Sequence, residues 1–554
     1  MKHLKLTTAS VTSPYFISLG ALLVSYYGIR FWSLWRKAVA VCGVASSWNW
    51  RLFDVSKNLR LMFPDYPKQK LGDPHAGFRP YADAGSTVLA TIPLETLKPA
   101  IWFSNAEACR QILDLHETRF RKDMKGYELL LFLGPNVVAS EGALWKKHRR
   151  AVRASFSEKA YALVWDESGR TLDEWFDTIQ NFEEPGVEVD TVASLSKVTL
   201  NIISSVGFGE HFPWNNPKQT ESNRLPLSTS VVEAVPLTVL RALLPSWAYR
   251  LPFQSFAKTK LAFEEMERNF AEIIKATSTD TLDGSHKRGA EQGDILRGLI
   301  QANETANDEQ RLSDREVLAD IYILLLAGHD STSHTVAFIT AIFALYPDIH
   351  ARVRKEADDI WPGAHTDPTK RKRSVYKDDF PRLTYTQAVF HEALRHFPPV
   401  SVFPRIVGED TVLPGTKRST SKSTDYEFNE SFSVPLSIGD LVVPDVYALH
   451  MNPHYWGANA ADFDPTRFLT PDWPKHAFMP FASGPRACLG RGFATAEAAR
   501  IIATLAQDWD LGCTNDLMNV PWEARKERLL QWRQEVTMTP VNIKLMFKKR
   551  TGYM

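Results

Sequence analysis

One stretch constrains the fold of this chain more than any other. Ser313 and Glu316 form a Ser-x-x-Glu capping box, and no proline interrupts the chain from there until Pro347. The spacing predicts a helix of about 32 residues, a rod of ~48 Å. Its runs 321–327 and 336–345 are apolar around the whole circumference, so most faces of the rod must be buried. Between them, the eight residues 328–335 are glycine, charged, hydroxyl-bearing or histidine. More than two turns of polar residues cannot form one solvated face. Gly328 costs roughly 1 kcal/mol against alanine in a helix interior, and the buried polar groups cost more unless they are used. A buried functional site is the expectation.

The rest of the chain bounds what that site can serve. Hydrophobic residues make up 44% and charged residues 23% of 554 residues, enough apolar material for a large core. A formal net charge of +1 supplies no general attraction to nucleic acid, and no nucleic-acid partner is expected. Cys42, Cys109, Cys488 and Cys513 have neither the density of a disulfide scaffold nor the spacing of a zinc site, which favours a reducing compartment.

Residues 14–34 are almost wholly apolar, with Arg30 the only charge, and are long enough to cross a ~30 Å hydrocarbon core. Residues 1–36 are read as a single-pass anchor. Lys2 and Lys5 precede the run and Arg36 and Lys37 follow it, which places the remaining chain in the cytoplasm. A cleaved signal peptide is the competing reading, disfavoured by the length of the run and its basic flank. Residues 37–80, with Pro64, Pro67, Pro74 and Pro80, read as a membrane-proximal connector, and 81–554 as one catalytic domain. Residues 86–92 and 99–103 read as a hairpin before a helix at 106–113, and 417–431 as a surface insertion.

Near the C-terminal end, Phe481-Ala-Ser-Gly484-Pro-Arg486-Ala-Cys488-Leu-Gly490 sets a cysteine between glycines just before a helical stretch. Glycines allow close backbone approach and aim amides at sulfur, a helix N-terminus favours an anion, and Arg486 can reach a carboxylate. Cys109 and Cys513 lack such a setting and read as buried structural cysteines. Glu392 and Arg395 are three apart on a helix ended by Pro398-Pro399, so they share a face and can pair, with Arg467 completing a structural cluster.

The cysteine loop resembles the haem-binding loop of the cytochrome P450 superfamily, and further motifs occur in that family's order. Ala327-Gly328-His329-Asp330-Ser331-Thr332 is similar to the oxygen-binding groove of its long distal helix. Glu392-Ala-Leu-Arg395 and the later Arg467 segment are similar to its ion-pair elements, and Trp145-Lys-Lys-His-Arg149 to its propionate-binding helix. The overall look is of fungal microsomal members. The resemblance implies a mainly α fold with small β-sheets, preceded by an N-terminal transmembrane helix at the endoplasmic reticulum membrane. It implies haem b with Cys488 as axial ligand, contacted by Phe481, Gly484, Gly490, Ala327 and Gly328, with Trp145, Arg149, Arg405 and Arg486 at the propionates. It further implies monooxygenation of a lipophilic substrate by O2, with NADPH electrons delivered by NADPH–cytochrome P450 reductase and cytochrome b5 as a second donor. Thiolate donation would favour O–O cleavage, and Asp330 with a neighbouring hydroxyl would relay protons. Ser331 stands where the family usually has threonine, so Ser331 and Thr332 both remain relay candidates.

Other readings are weaker. His391-Glu392 opens like a zinc-protease motif, but Arg395 holds the place of the second histidine. Gly490-Arg-Gly492 lacks the strand and third glycine of a dinucleotide loop. A haem-thiolate isomerase or dehydratase would keep the cysteine loop, usually without an acid–alcohol pair; a non-catalytic haem-binding membrane protein would not need the polar groove.

Overall fold

The computed structural model describes residues 77–91, 99–115, 119–179, 186–209, 225–282, 294–418 and 428–550, with isolated residues elsewhere. The apolar run at 14–34 and the connector lie for the most part outside the described residues. Among the described residues, no single helix is long and apolar enough to cross a membrane.

The long helix forms where the sequence places it, as Asp314–Leu345. Both halves of the capping box are made: the Ser313 hydroxyl accepts from the Glu316 amide, and the Glu316 carboxylate accepts from the Ser313 amide. Tyr346 ends the helix, and Pro347 opens the next one, Pro347–Ile360. The rod is enclosed by helices Thr191–Phe208, Thr384–His396 and Arg491–Asp508. Its residues Val336, Phe338, Ile339 and Phe343 join Leu195, Ile202, Ile501 and Leu505 in one apolar core.

Sheets are small and peripheral. The predicted hairpin is Val88–Thr91 paired antiparallel with Ala100–Phe103, with Leu89 opposite Trp102. It widens into a five-stranded sheet through Leu441–Pro444, Arg405–Val407 and Phe120–Lys122. The fold is thus mainly helical with small sheets, as expected.

The Glu392–Arg395 pair sits at the centre of this framework, with both side chains fully buried. Arg395 Nε and Nη2 each donate to a Glu392 oxygen at 2.7 Å, and Nη1 donates to the carbonyls of His450 and Ala460. Arg467 Nε lies 3.6 Å from Glu392, while its Nη groups donate to Trp456 and Asn459. One carboxylate therefore ties the helix Thr384–His396 to the irregular segment that leads towards Cys488. Burial would raise the Glu392 carboxyl, but hydrogen bonds from Arg395 and His396 hold it at about 2. The pair consequently stabilises the fold above the ordinary glutamate range, and that contribution is lost as pH falls from about 4 towards 2. Arg395→Ala leaves a buried charge unpaired and is expected to cost about 3–5 kcal/mol. Thermal unfolding will show this as a large loss of Tm or failure of the folded protein to accumulate, with Glu392→Ala/Arg395→Ala less destabilised than Arg395→Ala alone.

Candidate functional site

The cysteine loop is shaped by two positive-φ residues, Ala482 and Gly484. Only glycine fits at 484, where φ is +69° and a Cβ would lie 2.7 Å from the Asp114 Cα. That approach seats the loop on helix Ala106–Asp114, where the Ser483 hydroxyl also donates to Asp114. The Cys488 amide donates to the Phe481 carbonyl at 2.9 Å, closing the loop. Cys488 is exposed as a residue. Enough protein surrounds it that burial raises its pKa, opposed by the Gly490 amide, Arg149 and Arg491. Two residues beyond Gly490, Gly492 packs under Tyr161, where a Cβ would meet the ring at 2.5 Å.

Helix Gly142–Arg153 approaches the same region. It is held to the long helix by His148, whose Nδ1 is 2.7 Å from Asp320, while the other Asp320 oxygen accepts from the Val137 amide at 2.7 Å. Neither residue stood out in the sequence, because an isolated histidine among basic residues looks like a solvated face. The tie aims Trp145 inward, 4% exposed, between two guanidiniums: Arg486 lies 4.2 Å and Arg149 5.6 Å from its ring centre. Arg149 lies on the same helix, one turn beyond Trp145. It leans to the cysteine loop, with Nη1 3.4 Å from the Ala487 carbonyl, while its charge still reaches Arg486.

Arg486 and Arg405 sit together with a residue the sequence reading missed, Lys122. Lys122 and Arg405 are direct cross-strand partners, a like-charge placement that destabilises a sheet unless an anion offsets it. Burial first, then Arg486 and Arg405, push Lys122 down to about 7, with Glu141 acting the other way. Arg486 makes one ion pair, to Glu141 at 2.9 Å. Its Nε and Nη1, and Arg405 Nε, are buried without a hydrogen-bond partner. Such orphaned donors suit a ligand that brings more than one carboxylate. The available signal for Lys122 was alternation: in Phe120–Lys122, residues 120 and 122 share one face, and Phe120 is buried.

On the long helix, Ala327 is exposed and Gly328, Asp330 and Ser331 partly so, while Thr332 is 3% exposed. The two hydroxyls have different company. Ser331 Oγ donates to the Ala327 carbonyl at 2.8 Å. Thr332 turns into the core beside Glu497, a buried carboxyl on the helix after the cysteine loop whose two oxygens have no hydrogen-bond partner among the described residues. Burial holds Glu497 well above the usual carboxylate range, so it is a neutral acid there. Packing does not demand glycine at 328, since a Cβ would meet Ile203 only at 3.4 Å.

A mainly helical protein built around a cysteine loop beside a cluster of cations is the class these features define. The family model described as Cytochrome P450 matches residues 95–531, and the chain belongs to that family. It is 30% identical to Cytochrome P450 monooxygenase 124 of Postia placenta over 85% of this chain and 87% of the relative. It is also 25% identical to Cytochrome P450 monooxygenase ORF6 of Penicillium roqueforti, over 81% and 80% of the two chains. A match at 26% identity to a bifunctional cytochrome P450/NADPH–P450 reductase of Bacillus subtilis covers 73% of this chain and 34% of that protein. The chain is therefore a cytochrome P450 monooxygenase, of a family that implies haem and O2.

Proposed function

We propose that this monooxygenase oxidises a lipophilic small molecule of terpenoid, sterol or fatty-acid type, with Cys488 as the residue whose thiolate would hold haem iron and with NADPH electrons delivered by a reductase. The cluster of Lys122, Arg405 and Arg486 carries the placement of the cofactor, because among the described residues Glu141 is the one carboxylate that pairs with it and three of its guanidinium nitrogens lack a hydrogen-bond partner. A dianionic porphyrin fits that balance. Arg149 and Trp145 complete the cradle, Phe481, Gly484 and Gly490 shape the loop, and Ala327 with Gly328 form the facing wall.

When bound, haem supplies the site of oxygen reduction and C–H oxidation; one oxygen atom enters the substrate and the other leaves as water. The protein's part is to hold the thiolate, set the proton supply through Asp330 and Ser331, and keep water away with the apolar faces of the long helix. A reductase partner fits the name of the Bacillus subtilis relative, which joins both activities. Mass spectrometry of a terpenoid, sterol and fatty-acid panel, incubated with reductase-containing membranes and NADPH, should find a product one oxygen heavier. Turnover without NADPH or O2 would instead support the isomerase reading.

The same reading gives Lys122 a pH signature. Carboxylates beside it favour its charged form, so cofactor binding takes up a proton above pH ~7, and haem affinity falls as pH rises towards the ordinary lysine range near 10.4. Haem titration of the apoprotein should show a decline of up to tenfold per pH unit, flattened in Lys122→Met.

Localisation at the endoplasmic reticulum membrane through residues 1–36 belongs to this proposal. Trp247 (63% exposed), Leu251, Phe253 and Leu261 are exposed apolar side chains suited to resting on lipid. Removal of residues 1–36 should move part of the protein from the membrane to the soluble fraction with haem retained. Complete retention on the membrane would contradict the anchor.

A further inference from the structure

Arg241, on the short helix Thr238–Leu243, is a partly exposed guanidinium set among aromatic rings. It lies 5.7 Å from the ring centres of Phe132 and Tyr249 and 5.9 Å from that of Phe263. Rings attract a cation, but they supply no oxygen to its N–H groups. Among the described residues, Arg241 has no hydrogen bond and no carboxylate within ion-pair distance. The Tyr249 hydroxyl is buried and likewise has no hydrogen-bond partner among the described residues. A guanidinium and the phenol stacked beside it thus both lack an acceptor.

The neighbouring charges leave this imbalance in place. Arg315, on the long helix, donates through Nε to the Leu133 carbonyl at 3.0 Å and has no ion pair among the described residues. Both arginines act on the Glu267 carboxyl of helix Gln254–Leu282, yet burial, with Glu264 adding to it, keeps that carboxyl above its ordinary range. A carboxyl whose ionisation burial opposes is a poor counterion for two guanidiniums.

The cluster is fastened to the long helix and to the loop that reaches the propionate-type cations. Phe132 packs edge-on against Phe263 and against Tyr322, with ring centres 5.4 Å apart in each case. The Tyr322 hydroxyl lies 2.6 Å from that of Thr238, at the start of the helix that carries Arg241. Tyr322 precedes Asp330 by eight residues on the long helix, roughly 12 Å along its axis, and feels the Asp330 charge. Further along the loop from Phe132, the Ser140 carbonyl accepts from Arg486 at 2.9 Å. In the other direction, Trp247 is exposed to the outside.

We propose that Arg241, with the Tyr249 hydroxyl, is a specificity-determining subsite for the carboxylate of an amphiphilic acid. This rests on the lipophilic-substrate reading above and narrows it to acids, fatty or terpenoid, over neutral sterols. A planar guanidinium meets a carboxylate through two parallel N–H···O bonds, and the phenol donates to a remaining lone pair. The surrounding rings limit competition from water, which strengthens both contacts. With its head group held there, the acid has its apolar tail free to run along the long helix towards the groove, so oxidation falls at carbons remote from the carboxylate.

The test titrates the holoenzyme with palmitic acid and with methyl palmitate, reading binding from the change in haem absorption. The acid should bind on the order of tenfold more tightly than the ester, the scale of one charge-assisted hydrogen bond. Arg241→Met, which keeps an apolar stem, should bring the two ligands to near parity. Arg241→Lys keeps the charge without the fork and should retain part of the preference, and Tyr249→Phe should lose a smaller part. Ester affinity should change little in all three variants, which also shows that the fold is intact. Equal binding of acid and ester by the unaltered protein overturns the inference, as does an acid preference that survives Arg241→Met. Equal weakening of both ligands in Arg241→Met makes the arginine a support for the rings and overturns it too. Failure of the wider reading is distinct: no terpenoid, sterol or fatty acid is then oxidised at all, whereas oxidation of neutral compounds with no binding of acids upholds that reading and overturns this one.

Discussion

Cys488→Ala is expected to abolish the thiolate-type absorption of the reduced carbon-monoxide complex and with it monooxygenation. Water or imidazole cannot reproduce sulfur donation to iron. The loop should survive the change, because its shape depends on the Gly484 φ and the Cys488 amide bond to Phe481, neither of which involves the thiol. The controls are the other described cysteines. Cys109 is fully buried against the Phe103 carbonyl, and Cys513 lies at a strand end, away from the loop. Cys109→Ser and Cys513→Ser should leave the spectrum unchanged. A Cys488→Ala protein that keeps the thiolate-type spectrum would falsify the ligand assignment.

The second large effect concerns the proton. Ser331 and Thr332 are both relay candidates in the sequence, with Ser331 at the family's relay position, and the structure sets them differently. Thr332 is 3% exposed and turned into the core beside Glu497. The Ser331 hydroxyl makes only a local bond to Ala327, on the more open side of the helix. Ser331→Ala should therefore uncouple the enzyme: product per NADPH falls on the order of tenfold or more, within the range that a positioned acid–base group contributes, and hydrogen peroxide takes its place. Ser331→Thr should stay coupled. Thr332→Ala should have the smaller effect on coupling, because that side chain is buried in the core. Normal coupling in Ser331→Ala with collapse in Thr332→Ala would transfer the role.

How much of the fold and site is legible in the chain depends on the range of the forces involved. The long helix can be read because its cap, apolar faces and terminating proline are all local. Glu392 and Arg395 can be paired because three residues is a helical neighbour distance. Cys488 can be singled out because glycines and an arginine surround it within a few positions. Lys122 cannot, since its meaning comes from Arg405 and Arg486, both far along the chain, and a lysine in a three-residue strand looks like surface. Glu497 is hidden for a similar reason: in an alanine-rich helix, a lone glutamate resembles a solvated face until Thr332 is brought against it.

The Lys122–Arg405 strand pair carries a consequence for how the protein is made. Repulsion across those two strands weakens the sheet edge that leads into residues 123–141, so newly synthesised chain should complete that edge late, and only once carboxylates arrive to bridge it. Yield in a host cell should then track haem supply, and chains made under haem shortage should be cut first by proteases between residues 119 and 141. The cofactor would act there as an assembly checkpoint, separating finished molecules from those destined for degradation.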